Sequence, residues 1–212
     1  MRLCFVLILF LFANCEKIAD SLFSDHDDVS MGLSMDKEIR ENRRQFKILK
    51  NEEIRSYIQN IVKQILRSPQ IKRKKLYPYK ITILEDDKVV NAFCTPGGFI
   101  YVYTGLLKFL ENEASLAAVL SHEIAHAEKR HARQRMLSST GIQLVVMLVV
   151  SYFGGSGFAD ISGRLAGNLA ILTNSRADEM EADEMGFLYM RTTPYYQGAM
   201  TYFFEKIEGQ KK

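Results

Sequence analysis

From Ser34 to Arg67 the residues Ile39, Phe46, Leu49, Ile54, Ile58, Ile61, Ile65 and Leu66 recur at helical spacing, with Lys, Arg and Glu on the other faces. The pattern predicts two helices, broken near Leu49–Asn51, the second closed by Pro69. The period then changes. Tyr79–Leu84 alternates and is rich in β-branched residues, which predicts a strand. Asp86-Asp87 predicts a turn, and Val89–Phe93 and Gly98–Tyr103 predict two more strands around the Thr95-Pro96-Gly97 turn. Helical character returns at Thr104–Leu110 and continues through a long helix, Glu113–Met136, whose Ala117, Ala118, Leu120, Ile124 and Ala125 form a buried side. Gly141–Phe153 is the most apolar body segment, and Gly154-Gly155-Ser156-Gly157 links it to an apolar helix at Ile161–Asn174. A last helix is predicted over Tyr195–Ile207. Together these elements predict an α+β fold, mostly helical, with a small sheet against the long helix.

Gly141–Phe153 is short of the roughly 20 residues that span a bilayer. It fits a buried core helix or a membrane-facing hairpin, and its pattern does not separate the two. The amino-terminal end reads differently from the body. Met1-Arg2 is a short basic start and Leu3–Ala13 an apolar stretch of signal-peptide length. Leu11-Phe12-Ala13-Asn14-Cys15 resembles a bacterial lipobox, with Asn14 departing from the usual small residue before the Cys. Residues 1–15 are therefore expected to be a signal with lipobox, Cys15 the lipidated residue, and the mature protein a lipoprotein of the bacterial cell envelope, periplasmic face. Ordinary signal cleavage nearby is the alternative. Residues 16–33, acidic and aperiodic, are expected to be a tether, and 34–212 one domain.

Composition narrows the field further. The chain of 212 residues is long enough for a real core, and its formal charge of +3 gives no argument for nucleic acid. The one basic cluster, Lys72-Arg73-Lys74-Lys75, lies between Pro69 and Pro78 and reads as a solvated loop. Three cysteines, one in the signal and one at the lipobox, exclude a disulfide framework. Cys94, alone in the body, reads as packed, next to the presumed cleft. His26, among Asp25, Asp27 and Asp28, reads as part of the tether rather than as a metal site.

The chemistry lies in the long helix. His122-Glu123-Ile124-Ala125-His126 is an H-E-x-x-H sequence, a known zinc metalloprotease signature. Residues four apart share a helix face, so both imidazoles can reach one ion, and neutral imidazole suits a four-coordinate Zn²⁺. Glu123 would hold a carboxylate beside the reacting water. The bland alternative is a charged surface helix with two of the chain's four histidines. A third ligand is expected downstream, in Ser175–Gly186, where Glu179 and Asp183 share a face; Asp183 can orient a ligating imidazole. Spacing alone does not choose Glu179 over Glu181 or Glu184. His131, nine positions after His122, lies about 180° around an unbroken helix, and reads as structural or exposed.

The motif with Glu179-x-x-Ala182-Asp183 resembles the M48 family of zinc metallopeptidases, and Asn91–Val102 resembles that family's N-A-F-x-x-P-G-G-x-I-x-V segment. The resemblance spans about half the chain, and the soluble envelope and mitochondrial members fit it better than the multi-spanning ones. It implies Glu179 as third ligand, Asp183 as its supporting carboxylate, and one Zn²⁺ per chain. It implies Glu123 as catalytic base in peptide-bond hydrolysis. It also implies an extended polypeptide substrate paired along Gly98, Phe99, Ile100 and Tyr101, with Asn91 beside it.

Relatives carry a His-Pro and Arg segment after a helix like Phe204-Glu205-Lys206-Ile207, and no residues here match it. Tyr195, Tyr196 or Arg176 are the candidate substitutes for its oxyanion-stabilising or gating His. The expected function is zinc-dependent cleavage of unfolded or misassembled envelope proteins. The alternative is a zinc-stabilised, weakly active or inactive membrane-tethered chaperone. Nothing in the sequence speaks to oligomeric state.

Overall fold

A computed structural model of the chain describes residues 23–139 and 174–202. Cys4, Cys15, Gly141–Phe153, most of Ile161–Asn174 and the last helix beyond Tyr202 lie outside the described residues. The described elements are α1 (Asp25–Glu41), α2 (Glu52–Ile65), β1 (Lys80–Leu84), β2 (Ala92–Thr95), β3 (Phe99–Tyr103), α3 (Thr104–Phe109), α4 (Glu113–Glu128), α5 (His131–Ser139) and α6 (Arg176–Met190). The α+β architecture is thus a three-stranded mixed sheet among helices. No described helix is long and apolar enough to cross a membrane.

The first helix starts earlier than the sequence pattern suggests. The Ser24 hydroxyl accepts from Asp27 N–H, and the Asp27 carboxylate accepts from Ser24 N–H at 2.7 Å, a capping box. Asp25, Asp27 and Asp28, which read as tether charge, are first-turn acids that favour the positive end of the helix dipole. The tether expectation for residues 16–33 therefore does not hold from Asp25 onward. Met31, Met35 and Ile39 supply the buried face of α1.

The strand order is β1-β3-β2, with β1 parallel and β2 antiparallel to β3. Period-2 alternation divides the side chains of β3 between two cores. Phe99, Tyr101 and Tyr103 pack with Ile39 and Phe46 toward α1, while Ile100 and Val102 face the core of α2 and α4. Polar contacts tie α1 to its face of the sheet: the Tyr101 hydroxyl donates to Asp36 at 2.9 Å, and Arg40 donates to the Thr82 hydroxyl at 2.9 Å.

On the other face, α4 is buried on every side from Ser115 to Glu128, because α2, β2 and α6 all pack against it. A wholly buried helix needs its carboxylates and imidazoles matched by partners. It ends sooner than Met136. Lys129 closes α4, and Arg130 adopts φ 60°, so the chain reverses and His131 opens α5. A left-handed non-glycine residue costs about 1–2 kcal/mol. Ion pairs from Arg130 to Asp25 and Asp28 of α1 hold the turn in place.

Those contacts belong to a larger buried cluster. The Tyr77 hydroxyl donates to Asp28, Arg133 lies 3.5 Å from the same carboxylate, and Arg73 pairs with Asp25 at 2.6 Å. Glu128, at the end of α4, accepts from the Lys72 and Arg73 backbone N–H groups, both at 3.0 Å, and from Tyr79. Arg73 is therefore structural, which corrects the reading of 72–75 as a wholly solvated loop. Asp28→Ala removes a carboxylate from between two buried guanidiniums. A loss of about 3–5 kcal/mol is expected, as for other broken buried pairs. Urea unfolding checks it, and a loss below about 0.5 kcal/mol, usual for a surface site, would show that the cluster is dispensable.

Candidate metal centre

Helix α4 carries His122 and His126 on one face, and their Nε2 atoms lie 2.9 Å apart. Helix α6 brings Glu179 against both: Oε2 is 3.4 Å from His122 Nε2, and Oε1 is 3.4 Å from His126 Nε2. One ligand atom from each of the three residues falls within 4.8 Å of the others. Two imidazole nitrogens and a carboxylate oxygen turned to a common point form a donor set that fits a divalent transition metal, with a coordination position to spare. Glu181 and Glu184, equally acceptable by spacing, do not join this set. Glu181 instead accepts from Lys129 at 2.7 Å, and Glu184 is exposed.

Two local features place Glu179. Ser175 caps α6 in a second capping box with Asp178, which fixes where the helix begins. Farther along, Gly186 meets α4 so closely that a Cβ would lie 3.1 Å from His122 N. Ala182 and Gly186, both buried, let the two backbones approach, and Glu179 and Asp183, one turn apart on the same helix, reach the imidazoles of α4. The Asp183 carboxylate accepts from His122 Nδ1 at 2.8 Å, leaving Nε2 turned to the cluster.

Glu123 is buried beside the cluster, 8% exposed, and interacts with the Cys94 thiol of β2. Burial pushes that thiol well up, and the Glu123 charge pushes in the same direction. Cys94 is thus packed as a neutral thiol against the carboxylate that follows His122.

The substrate-binding residues inferred from family resemblance need correction. Phe99, Ile100 and Tyr101 lie on the central strand, hydrogen-bonded to β1 on one side and β2 on the other, and Gly98 pairs with Lys80 and Thr95. None of them has an edge to offer. The outer edge of β1 is also occupied, by backbone bonds to Lys47 and Leu49 and by the side chain of Gln59. Among the described residues the edge with no backbone pairing is that of β2, where Ala92 and Cys94 are buried. Tyr103 N–H donates to Asn91 C=O, so the alternating pairing turns the backbone groups of Ala92 and Cys94 away from β3. Asn91 itself is exposed at the start of this edge.

Two further side chains neighbour the cluster: His131, expected to be structural or exposed on an unbroken helix, and Asn174, which no sequence pattern singles out. His131 is buried, with Nδ1 2.7 Å from His126 Nδ1, because α4 stops at Glu128. The Asn174 amide nitrogen lies 3.1 Å from His126 Nε2. Of the candidate oxyanion groups, Tyr195 is bonded to Glu113 at the far end of α4, Tyr196 is 78% exposed and Arg176 is exposed. None of these contacts ties them to the cluster, so Asn174 is the better placed polar side chain.

The electrostatics favour cations. Burial works against charge on Glu179, but His122 and His126 outweigh it and hold the carboxyl well below its usual range. Burial also works against charge on His122, yet Asp183, Glu179 and Glu123 push it up to about 10. In protein stripped of metal with a chelator, His122 should therefore carry a proton at pH 7 that a binding metal ion displaces. Metal affinity should rise with pH above neutrality, by up to about tenfold per pH unit for the one proton displaced. The sign for stability is opposite. A folded pKa above the ordinary 6.5 stabilises the stripped protein below pH 6.5, and the gain is lost as pH rises through about 10. Calorimetric zinc titrations in buffers of differing ionisation enthalpy should report about one proton released at pH 7; no release would contradict the assignment.

Residues 52–209 match the model for Peptidase family M48. The chain is 29% identical over 143 residues to the beta-barrel assembly-enhancing protease of Yersinia pestis, covering 64% of this chain and 29% of that protein. The protein of that name from Escherichia coli (strain K12) gives the same identity and coverage. The mitochondrial metalloendopeptidase OMA1 of Schizosaccharomyces pombe is 28% identical over 156 residues, 72% of this chain and 43% of its own length. The chain thus spans less than half the length of each of these relatives.

Proposed function

The chain belongs to peptidase family M48, and on that premise we propose that it is a zinc-dependent endopeptidase acting on extended polypeptide. The observation that carries this reading is the convergence of His122 and His126 of α4 with Glu179 of α6, with Glu123 buried next to His122 on the same helix. The ion is read as one Zn²⁺ per chain, held by those three residues. When bound, it supplies Lewis acidity at neutral pH. Glu123 is the catalytic base: it takes the proton of the attacking water and delivers it to the leaving amine. Asp183 holds the His122 ring so that Nε2 stays available. Substrate main chain is read as pairing with the unpaired edge of β2 at Ala92 and Cys94, which lies against α4, in the manner of strand addition. An edge of this kind accepts extended chain and excludes folded surfaces, which supports unfolded or misassembled envelope proteins as the substrate class.

Glu123→Gln separates a protease from a zinc-stabilised chaperone. The variant should fold and keep its zinc, yet cleave an unfolded model protein such as reduced casein about 10²–10⁴-fold more slowly. Equal cleavage by both proteins excludes Glu123 as the base. No cleavage by either, with aggregation of the casein suppressed, supports the chaperone reading instead.

The proposed location is the bacterial envelope, with Cys15 as a lipidated anchor. The support is the apolar Leu3–Ala13 stretch followed by Cys15. Stable anchoring takes more than one acyl chain, which a diacylated and N-acylated Cys would provide. Cys15→Ser should release a soluble form or stall with its signal attached. Normal processing with continued membrane fractionation would rule the lipobox out.

A further inference from the structure

We propose that His131 is a positioning residue for His126, itself braced by Glu181, so that the two imidazole ligands are held by different kinds of partner. This rests on reading His122, His126 and Glu179 as the zinc site. With Nε2 of His126 turned to the cluster, its proton sits on Nδ1 and needs an acceptor. His131 Nδ1 lies 2.7 Å away. To accept there, His131 carries its own proton on Nε2, which faces Glu181 Oε2 at 3.0 Å. Glu181 is steadied by Lys129 at 2.7 Å. The result is a directed chain from ligand to imidazole to carboxylate to ammonium, each donor facing one acceptor.

The backbone explains why this contact exists. On an unbroken helix a residue five positions on lies about 140° around the axis, out of reach of His126. The reversal at Arg130 folds His131 back, and its ring meets that of His126 edge-on with centroids 4.9 Å apart. His131 is 2% exposed, so water does not compete for the bond. His122 leans directly on a charged carboxylate, Asp183, whereas His126 leans on a neutral ring. A carboxylate polarises a ligating imidazole more strongly than an imidazole does. The inferred consequence is that His131 fixes the orientation of His126 while adding less to its basicity than Asp183 adds to that of His122.

Two amides at position 131 distinguish positioning from packing. In His131→Asn the side-chain oxygen can occupy the place of Nδ1 and accept from His126. In His131→Gln the amide extends to the place of Nε2 and leaves no acceptor beside His126. Zinc affinity of each full-length chain would be measured by competition with a chromophoric chelator, and the Co²⁺-substituted forms compared by their visible absorption. The Asn variant should stay within about threefold of wild type and keep its Co²⁺ spectrum. The Gln variant should bind zinc about 10–100-fold more weakly, the usual cost of losing an outer partner of a ligating His, with an altered spectrum. Two variants both indistinguishable from wild type, or both weakened alike, overturn the proposal. If His131→Gln does not fold, Glu181→Leu at its half-exposed position should still weaken zinc several-fold, and unchanged affinity overturns the proposal. A wild-type chain that binds no zinc fails at the site itself and overturns both readings; a wild-type chain that binds zinc isolates the failure to His131.

Discussion

The close approach of α6 to α4 at Ala182 and Gly186 is the contact on which the centre depends. Side chains as short as Asp and Glu can reach the imidazoles of another helix only where the two backbones nearly touch. A Cβ at position 186 would meet His122 backbone atoms at 3.1–3.2 Å and the Met200 side chain at 2.6 Å. Any larger residue there must push α6 outward and draw Glu179 and Asp183 back together, since both ride on the same face. The capping box at Ser175 fixes the other variable, the point at which α6 starts. Register and separation are thus set by residues that touch no metal.

A second constraint comes from α1, which precedes the residues matched to the family, 52–209. Its Asp25 and Asp28 carry the arginines of the reversal after α4, so the helix that covers the far face of the sheet also governs how α4 ends. Buried ion pairs of this sort contribute little net stability, because desolvation offsets most of the attraction. They are better understood as specifying geometry. Here that geometry is a left-handed Arg130, which an isolated chain would avoid. Asp28 and Glu128 act on different parts of the reversal. Asp28 holds the arginines, and Glu128 ties the end of α4 to the Lys72-Arg73 backbone.

Much of this was legible in the sequence, and the exceptions have physical causes. The H-E-x-x-H spacing, the first and third strands and the Pro-Gly turn are local patterns that survive translation into structure, whereas the second strand runs over Ala92–Thr95 rather than Val89–Phe93. Strand order is not local. β1 and β3 pair directly and in parallel although β2 lies between them in sequence, so nothing in Gly98–Tyr103 announces that it is central rather than an edge. Its continuous burial is the trace left in the sequence, since Phe-Ile-Tyr-Val-Tyr has no polar face beyond the tyrosine hydroxyls. The end of α4 was hidden because the left-handed residue is Arg, not Gly, and its stabilising partners lie about a hundred residues earlier in the chain. The start of α1 is readable in principle: Ser24 and Asp27 form a capping pair, but Asp25, Asp27 and Asp28 within four residues look equally like a solvated tether.

The same economy of small, local devices explains how one strand can serve both sides of the proposed reaction. β2 alternates between two duties along four residues. Phe93 turns its side chain to the α1 side of the sheet and its backbone to β3, while Ala92 and Cys94 turn theirs to α4 and to the unpaired edge. A chain added at that edge would therefore be registered by the strand whose Cys94 thiol contacts Glu123. Displacing β2 would disturb the base and the substrate together, whereas the metal ligands, carried by α4 and α6, would remain in place. Substitutions in β2 should for that reason alter cleavage without releasing zinc, and substitutions at the α4–α6 contact should release zinc first. The sheet and the helix pair are thus separable layers of one site, joined through the buried length of α4.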